Sequence, residues 1–278
     1  MNLVKLRDYW LKVRSYLPLS IRDRVLYIGN LFFASRIVKK NRELKNIHLS
    51  KRCFIIGNGP SIKNQDLTLL KNEITFVTNK FYLHKDFDKI NPKYYTTIDP
   101  LSFEEDAGRI QLLKETQEKA SNCMFFFPYW TASTIQKYNL FQKQKVYYLA
   151  IGGEMKENKC FHSDIDKPIP SLINVVLPNL FVAHYMGFKE IYLLGCDHDW
   201  LAQPSDAYPT HFYDKEPLYK KSFSLSYEKT IPYVLDLFRS YRLIKEKFSD
   251  VKIYNATAGG FLDVFPRVDY EEIVKNKK

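Results

Sequence analysis

The stretch Cys53-Phe54-Ile55-Ile56-Gly57-Asn58-Gly59-Pro60-Ser61 constrains this chain more than any other. A short apolar run stops in a turn cluster, and a helix-type pattern follows. Phe54, Ile55 and Ile56 suit a strand buried on both faces of a parallel sheet, where no polar alternation is needed. Gly57 and Gly59 permit tight or left-handed backbone and the close approach of a ligand. Asn58 stands at the carboxyl end of the strand, where open α/β sheets bind ligands. Ser61 is placed to cap the next helix, whose free N–H groups favour an anion. The loop lacks the Gly-Lys-Ser/Thr of a phosphate loop and the third glycine of a dinucleotide fingerprint, so an ordinary strand-to-helix turn is the competing reading.

The same unit recurs. Apolar strands are predicted at 53–57, 74–78, 94–98, 124–127, 146–150, 190–194 and 251–254. Helices are predicted near 62–72, 103–120, 173–186 and 227–247, with a short charged one at 269–278. This alternation predicts a mostly parallel, doubly wound, Rossmann-like α/β sheet. Asn58, Asn79, Asp99 and Asp197 each follow a strand directly, so the fold gathers them on one edge. Singly, each is an ordinary turn residue; four in one topological place point to a site. Residues 198–222 hold Pro204, Asp206, Tyr208, Pro209, His211, Tyr213 and Asp214 with little periodicity. A stretch of that length inside a compact domain is predicted to be a lid or binding loop.

Charge divides the chain. Residues 1–52 carry 13 Lys/Arg against 3 Asp/Glu, and residues 53–278 carry 29 against 28. The nearly neutral body argues against a nucleic-acid surface. In the basic segment, Leu3, Leu6, Trp10, Val13 and Leu17 share one helical face flanked by Lys5, Arg7, Lys12 and Arg14. A second apolar run, Val25 to Ala34, is about half the ~20 residues of a spanning helix. It makes a poor signal peptide, because a long stretch with acids precedes it. Basic amphipathic helices of this kind lie in the plane of anionic membranes, the alternative being a helical hairpin packed on the body or on a second copy. The chain therefore divides into a membrane-associating segment, 1–52, and an α/β domain, 53–278. Cys53, Cys123, Cys160 and Cys196 show no C-x-x-C spacing and read as reduced core thiols, with no structural metal.

Three motifs carry a family resemblance: Gly57-Asn58-Gly59-Pro60-Ser61, Asn79-Lys80-Phe81-Tyr82, and Gly187 to Asp197 (GFKEIYLLGCD). Together they resemble the bacterial sialyltransferases of glycosyltransferase family 42, over residues 53–258. That group extends to flagellin-modifying glycosyltransferases and to an archaeal pterin pyrophosphokinase-like branch. The resemblance implies a GT-A-variant fold. It also implies that Asn58, Gly59, Ser61, Asn79, Asp99, Ser171 and Asp197 line the nucleotide-sugar site, joined by Tyr208 and Tyr213 from the lid. His211, in Thr210-His211-Phe212, matches the family's catalytic base. The sequence departs from the family at Pro168-Ile169-Pro170-Ser171-Leu172, where the family's Arg and Thr are lost, and at His198-Asp199-Trp200 after Asp197. Both differences bear on sugar specificity.

The expectation is a peripheral-membrane glycosyltransferase on the inner face of a bacterial membrane. It would transfer a sialic-acid-like residue from a CMP-sugar to a surface glycan such as lipooligosaccharide or capsule, with no metal or other cofactor required. Helix N–H groups and Tyr hydroxyls can neutralise a leaving nucleoside phosphate in place of a metal. Two rivals are Mg²⁺-dependent pyrophosphoryl transfer, with Asp99, Asp197 and Asp199 on the metal, and a non-catalytic scaffold for polysaccharide assembly. The sequence leaves a homo-oligomer open. His198, beside Asp197 at a strand end, competes with His211 as base.

Overall fold

The computed structural model describes residues 34–98, 107–152, 155–157, 160–170, 173–202, 211–213 and 227–275. Seven strands form one sheet: β1 (Arg52–Ile56), β2 (Thr75–Thr78), β3 (Tyr94–Thr96), β4 (Met124–Pro128), β5 (Val146–Leu149), β6 (Glu190–Leu194) and β7 (Lys252–Asn255). Their order is β5-β4-β3-β2-β1-β6-β7, and every neighbouring pair is parallel. From β1 the chain winds outward to β5, then returns to β6 on the other side of β1. The β1/β6 boundary is thus the topological switch point, where strand-to-helix connections diverge and leave a crevice.

The helices are α1 (Phe87–Ile90), α2 (Ala107–Lys119), α3 (Ala132–Lys137), α4 (Val176–Tyr185), α5 (Tyr227–Lys247) and α6 (Tyr270–Lys275). On one face, Cys53, Ile55, Phe76 and Leu193 pack with Leu180 and Phe181 of α4 and with Leu237, Tyr241 and Ile244 of α5. On the other, Phe54, Ile56, Val77 and Phe125 pack with Leu113, Ile135, Tyr270 and Val274. Both faces of every central strand are therefore apolar, which is why the sequence shows runs instead of alternation.

Two expectations need correction. The helix near 62–72 is instead two 3₁₀ turns, Pro60–Asn64 and Leu67–Leu70. Gln65 between them is extended, and Asp66 accepts from the Thr68 amide at 3.0 Å, so the chain restarts before an α-helix can propagate. Cys160 is exposed, whereas Cys53, Cys123 and Cys196 are buried; all four are free thiols. His48, in the basic segment, is buried with Nε2 2.6 Å from the Tyr94 hydroxyl. Burial, with help from Lys93 and Lys51, pushes its pKa down to about 4.

The predicted basic helix at 3–17 and most of the following apolar run lie outside the described residues. Residues 34–51 are held on the body. Ala34 and Val38 pack with Ala150, and Asn41 Nδ2 donates to the carbonyls of Tyr148 (2.8 Å) and Ile165 (2.7 Å). No described helix is long and apolar enough to cross a membrane.

Candidate functional site

Strand register brings three polar residues into one row. Ile56 lies beside Val77, and Thr78 beside Thr96. Just past these pairs, Asn58, Asn79 and Thr97 stand side by side at the carboxyl ends of β1, β2 and β3. Asn58 is buried and donates from Nδ2 to the Thr78 carbonyl at 3.1 Å. Asn79 adopts a left-handed φ of 47°, which an Asn tolerates better than most residues. Its amide donates to the Thr96 carbonyl at 3.1 Å, and its carbonyl accepts from the Tyr95 hydroxyl. Thr97 donates its amide to the Phe126 carbonyl at 3.2 Å. Each backbone is satisfied. Yet Asn58 Oδ1, Asn79 Oδ1 and Thr97 Oγ1 are buried and find no hydrogen-bond partner among the described residues. Leaving such an atom unsatisfied costs about 1–3 kcal/mol, so a row of three at a sheet edge is where a ligand's donors fit.

The other side of the crevice is built by chain crossing chain. Gly57 donates its amide to the Leu194 carbonyl (2.8 Å), and Gly59 to the Gly195 carbonyl (2.9 Å). A Cβ on Gly59 would lie 1.7 Å from Asp197 Oδ2, and one on Gly57 would lie 2.5 Å from the Gly195 oxygen. These glycines are demanded by the β6 turn as well as by any ligand. Ser61 directs both its amide (3.2 Å) and its hydroxyl (2.9 Å) to the buried Asp197 carboxylate. Burial raises the Asp197 pKa, and the Ser61 bonds oppose that rise. The anion at this turn is thus the protein's own carboxylate, and Ser61 joins β1 to β6 where the sequence pointed to a helix cap.

Of the expected lid, residues 211–213 are described, and Phe212 reaches the row. The Phe212 amide donates to the Asn58 carbonyl at 2.9 Å. Its buried ring meets Phe81 (5.8 Å between centroids) and His84 (5.1 Å) edge-on. Phe212 therefore holds residues 211–213 at the carboxyl end of β1. His211 and Tyr213 flank it, half-buried, with their rings stacked 5.0 Å apart. Asp99, Ser171 and Tyr208 lie outside the described residues.

His198 has a different environment. It is buried with a φ of 50°, and its Nε2 lies 2.9 Å from the Tyr241 hydroxyl. Burial pushes its pKa down to about 3, so it is neutral near pH 7. Tyr241 also accepts from Asn174 Nδ2 (3.2 Å), and Asn174 Oδ1 caps α4 by accepting from the Val176 and Leu177 amides. His198 is thus a joint between the β6 turn, α5 and α4. Among the described residues no three His, Cys, Asp or Glu side chains gather as a metal-binding group.

Sequence reasoning missed Thr97 and Phe212. Thr97 sits in an uninterrupted strand pattern, and only its place one register step past the last pair marks it. Phe212 was passed over between two more conspicuous ring residues.

In fold, the chain is similar to the Maf glycosyltransferase of Magnetospirillum magneticum, with a TM-score of 0.50 and 14% identity over 89% of this chain and 39% of that one. The sialyltransferase CstII of Campylobacter jejuni, solved in complex with a substrate analogue, cytidine-5'-monophosphate (CMP), gives a TM-score of 0.47 and 18% identity over 79% of this chain and 85% of that one. An uncharacterised protein of Schizosaccharomyces pombe is 30% identical over 103 residues, 30% of this chain and 33% of that one. The chain thus spans about a third of the length of that relative. A family model described as 6-hydroxymethylpterin diphosphokinase MptE-like matches residues 27–203. This span, more than half of the chain, runs from before β1 to beyond β6 and includes the Asn58–Asn79–Thr97 row and Asp197, and the chain belongs to that MptE-like family.

Proposed function

We propose that this protein is a glycosyltransferase that binds a nucleotide-activated sugar in the crevice at the carboxyl edge of β1, β2 and β3. The observation that carries the reading is the pair of buried, unpartnered amide oxygens of Asn58 and Asn79, beside a lid segment that carries His211. Amide oxygens only accept hydrogen bonds, so they call for a ligand rich in N–H and O–H donors, as a nucleoside is. The motif resemblance to the family 42 sialyltransferases makes a CMP-linked nonulosonic acid the first choice of donor and a bacterial surface glycan the first choice of acceptor. The CMP bound in CstII is consistent with that choice.

In this reading His211 accepts the proton of the acceptor hydroxyl while that oxygen bonds to the anomeric carbon. The bond from the anomeric carbon to the phosphate oxygen breaks, and its electron pair leaves with the nucleoside phosphate. Histidine suits the step because its free pKa is about 6.5. Tyr213, and Tyr208 by resemblance, would donate to the leaving phosphate. Asp197 acts indirectly, by fixing Ser61 and the Gly57–Gly59 turn. The basic residues 1–52 would hold the enzyme on an anionic inner membrane face.

The family description favours a second reading, Mg²⁺-dependent transfer of a diphosphoryl group to a hydroxymethylpterin-like alcohol. Incubating the purified protein with CMP-, UDP- and GDP-sugars, and separately with ATP, Mg²⁺ and a hydroxymethylpterin, distinguishes the two by mass spectrometry. Release of CMP from a CMP-sugar is the expected result. Turnover confined to UDP- or GDP-sugars would replace the donor, and AMP release that requires the pterin would replace the reaction.

A further inference from the structure

We propose that Thr97 is a direct ligand contact, the third member of the binding row, and that this row reads the neutral nucleoside portion of the donor and not its phosphate. The inference rests on the nucleotide-binding reading above and extends it to a residue that no motif marks.

Several polar atoms elsewhere in the core also lack partners: Asn41 Oδ1, His48 Nδ1, Gln65 Oε1 and Thr75 Oγ1. They are scattered, each on a separate segment. Asn58, Asn79 and Thr97 differ in lying within two residues past the ends of three adjacent strands, with Asn58 Nδ2 bonded to the Thr78 carbonyl and the Asn79 amide to the Thr96 carbonyl. Thr97 is 7% exposed, as is Asn58, so neither oxygen is simply left to bulk water. Adjacent strands lie about 4.8 Å apart, which makes the line about 10 Å long end to end. A single small anion cannot reach all three atoms. Two of the three are acceptors only, so they repel phosphate oxygens and attract N–H and O–H groups. A hydroxyl can donate or accept, so Thr97 is the one member able to meet an acceptor, such as a ring nitrogen or carbonyl of a base. A row of two acceptors and one adaptable hydroxyl matches a ribose with an attached base laid across the strand ends.

The two threonines one register step below the row both use their hydroxyls. Thr96 donates to Asn179 Oδ1, and Thr78 donates to the Ile56 carbonyl at 3.4 Å. Tyr95, two residues before Thr97, is hydrogen-bonded to the Asn79 carbonyl and holds that end of the row in place.

The test compares Thr97→Val, which removes the hydroxyl and keeps the shape, with Thr97→Ser, which keeps the hydroxyl. Calorimetry with CMP, UMP, GMP and ADP on the full chain first identifies a nucleotide that binds the wild type. Affinity for it is expected to fall ~10-fold in Thr97→Val, to stay within ~3-fold in Thr97→Ser, and thermal stability should not fall in the Val variant, which buries one fewer unpaired group. Wild-type affinity in Thr97→Val overturns the inference and leaves the proposed function standing. Equal losses in both variants overturn it too, because packing would then be the cause. If none of the four nucleotides binds the wild type, the proposed function and this inference fall together.

Discussion

Two adjacent rows of residues, one register step apart, are built from the same side-chain types and serve opposite ends. In the lower row, Thr78 and Thr96 lie side by side on β2 and β3. Their hydroxyls are used: Thr96 bonds Asn179, Asn179 Nδ2 bonds the Val175 carbonyl at 3.3 Å, and Thr78 bonds the Ile56 carbonyl. In the upper row, Asn58, Asn79 and Thr97 each keep one buried oxygen without a partner. The Thr97 hydroxyl oxygen is itself buried, so solvent does not explain the difference. The lower row closes its hydrogen bonds and ties α4 to the sheet. The upper row retains unsatisfied acceptors that lower stability and are worth keeping only if something else fills them. The closed row is structural, and the open row is the place proposed for the ligand.

In the proposed function the chemistry belongs to His211 and to neither row, and the largest effect is expected there. His211→Ala should slow turnover by ~10²–10⁴-fold with nucleotide affinity unchanged, and the low-pH limb of the rate profile should vanish with it. Near-normal turnover in this variant would detach the lid from the catalytic step.

The two rows should then separate cleanly. Asn58→Ala or Asn79→Ala is expected to weaken nucleotide binding by ~1–3 kcal/mol, far more than it lowers the melting temperature for Asn79, whose side-chain oxygen has no partner to lose. Asn179→Ala should do the reverse. It leaves the Thr96 hydroxyl stranded, so unfolding in urea should show about 1–3 kcal/mol less stability, with nucleotide affinity of the folded protein intact. Loss of affinity in Asn179→Ala as large as in the Asn58 variant would mean that the rows work as one unit.

Much of this was legible in the sequence, for identifiable reasons. Each of the seven strands falls within about two residues of its apolar run, because a strand buried on both faces is built mainly from apolar residues. Asn58 and Asn79 stood out because polar residues directly after such runs can only be turn or site residues. The two 3₁₀ turns after β1 were not legible, since the extended Gln65 and the Asp66 cap decide them locally against an apolar pattern that fits a helix. The Ser61–Asp197 bond joins residues 136 apart, and no local pattern reports such a pairing. Nor does any local pattern report that the His84 ring stacks on Phe81 and borders Phe212.

The smallest effect tests the far side of the switch point. His198 follows β6 and is neutral, because burial holds its pKa near 3 against a free value of about 6.5. As pH falls below 6.5 the unfolded chain takes up the proton and the folded chain does not. Stability is therefore fully present above about pH 6.5 and declines with acid until the folded pKa is reached. Between pH 6.5 and 5.5 this one residue should remove about 1 kcal/mol. His198→Asn keeps a residue that accepts the left-handed φ of 50° and deletes the titration. The variant is expected to be less stable at pH 7, because Tyr241 loses its ring partner. Its stability should nonetheless fall about 1 kcal/mol less than the wild type's over that pH interval, other histidines contributing equally to both. Chemical denaturation at the two pH values measures the difference directly. Parallel slopes would show that His198 carries its proton in the folded state and would return it to contention as the base. A flatter slope in the variant, with nucleotide affinity shifting equally in both proteins, keeps His198 as a joint of the scaffold and leaves binding to the row across the crevice.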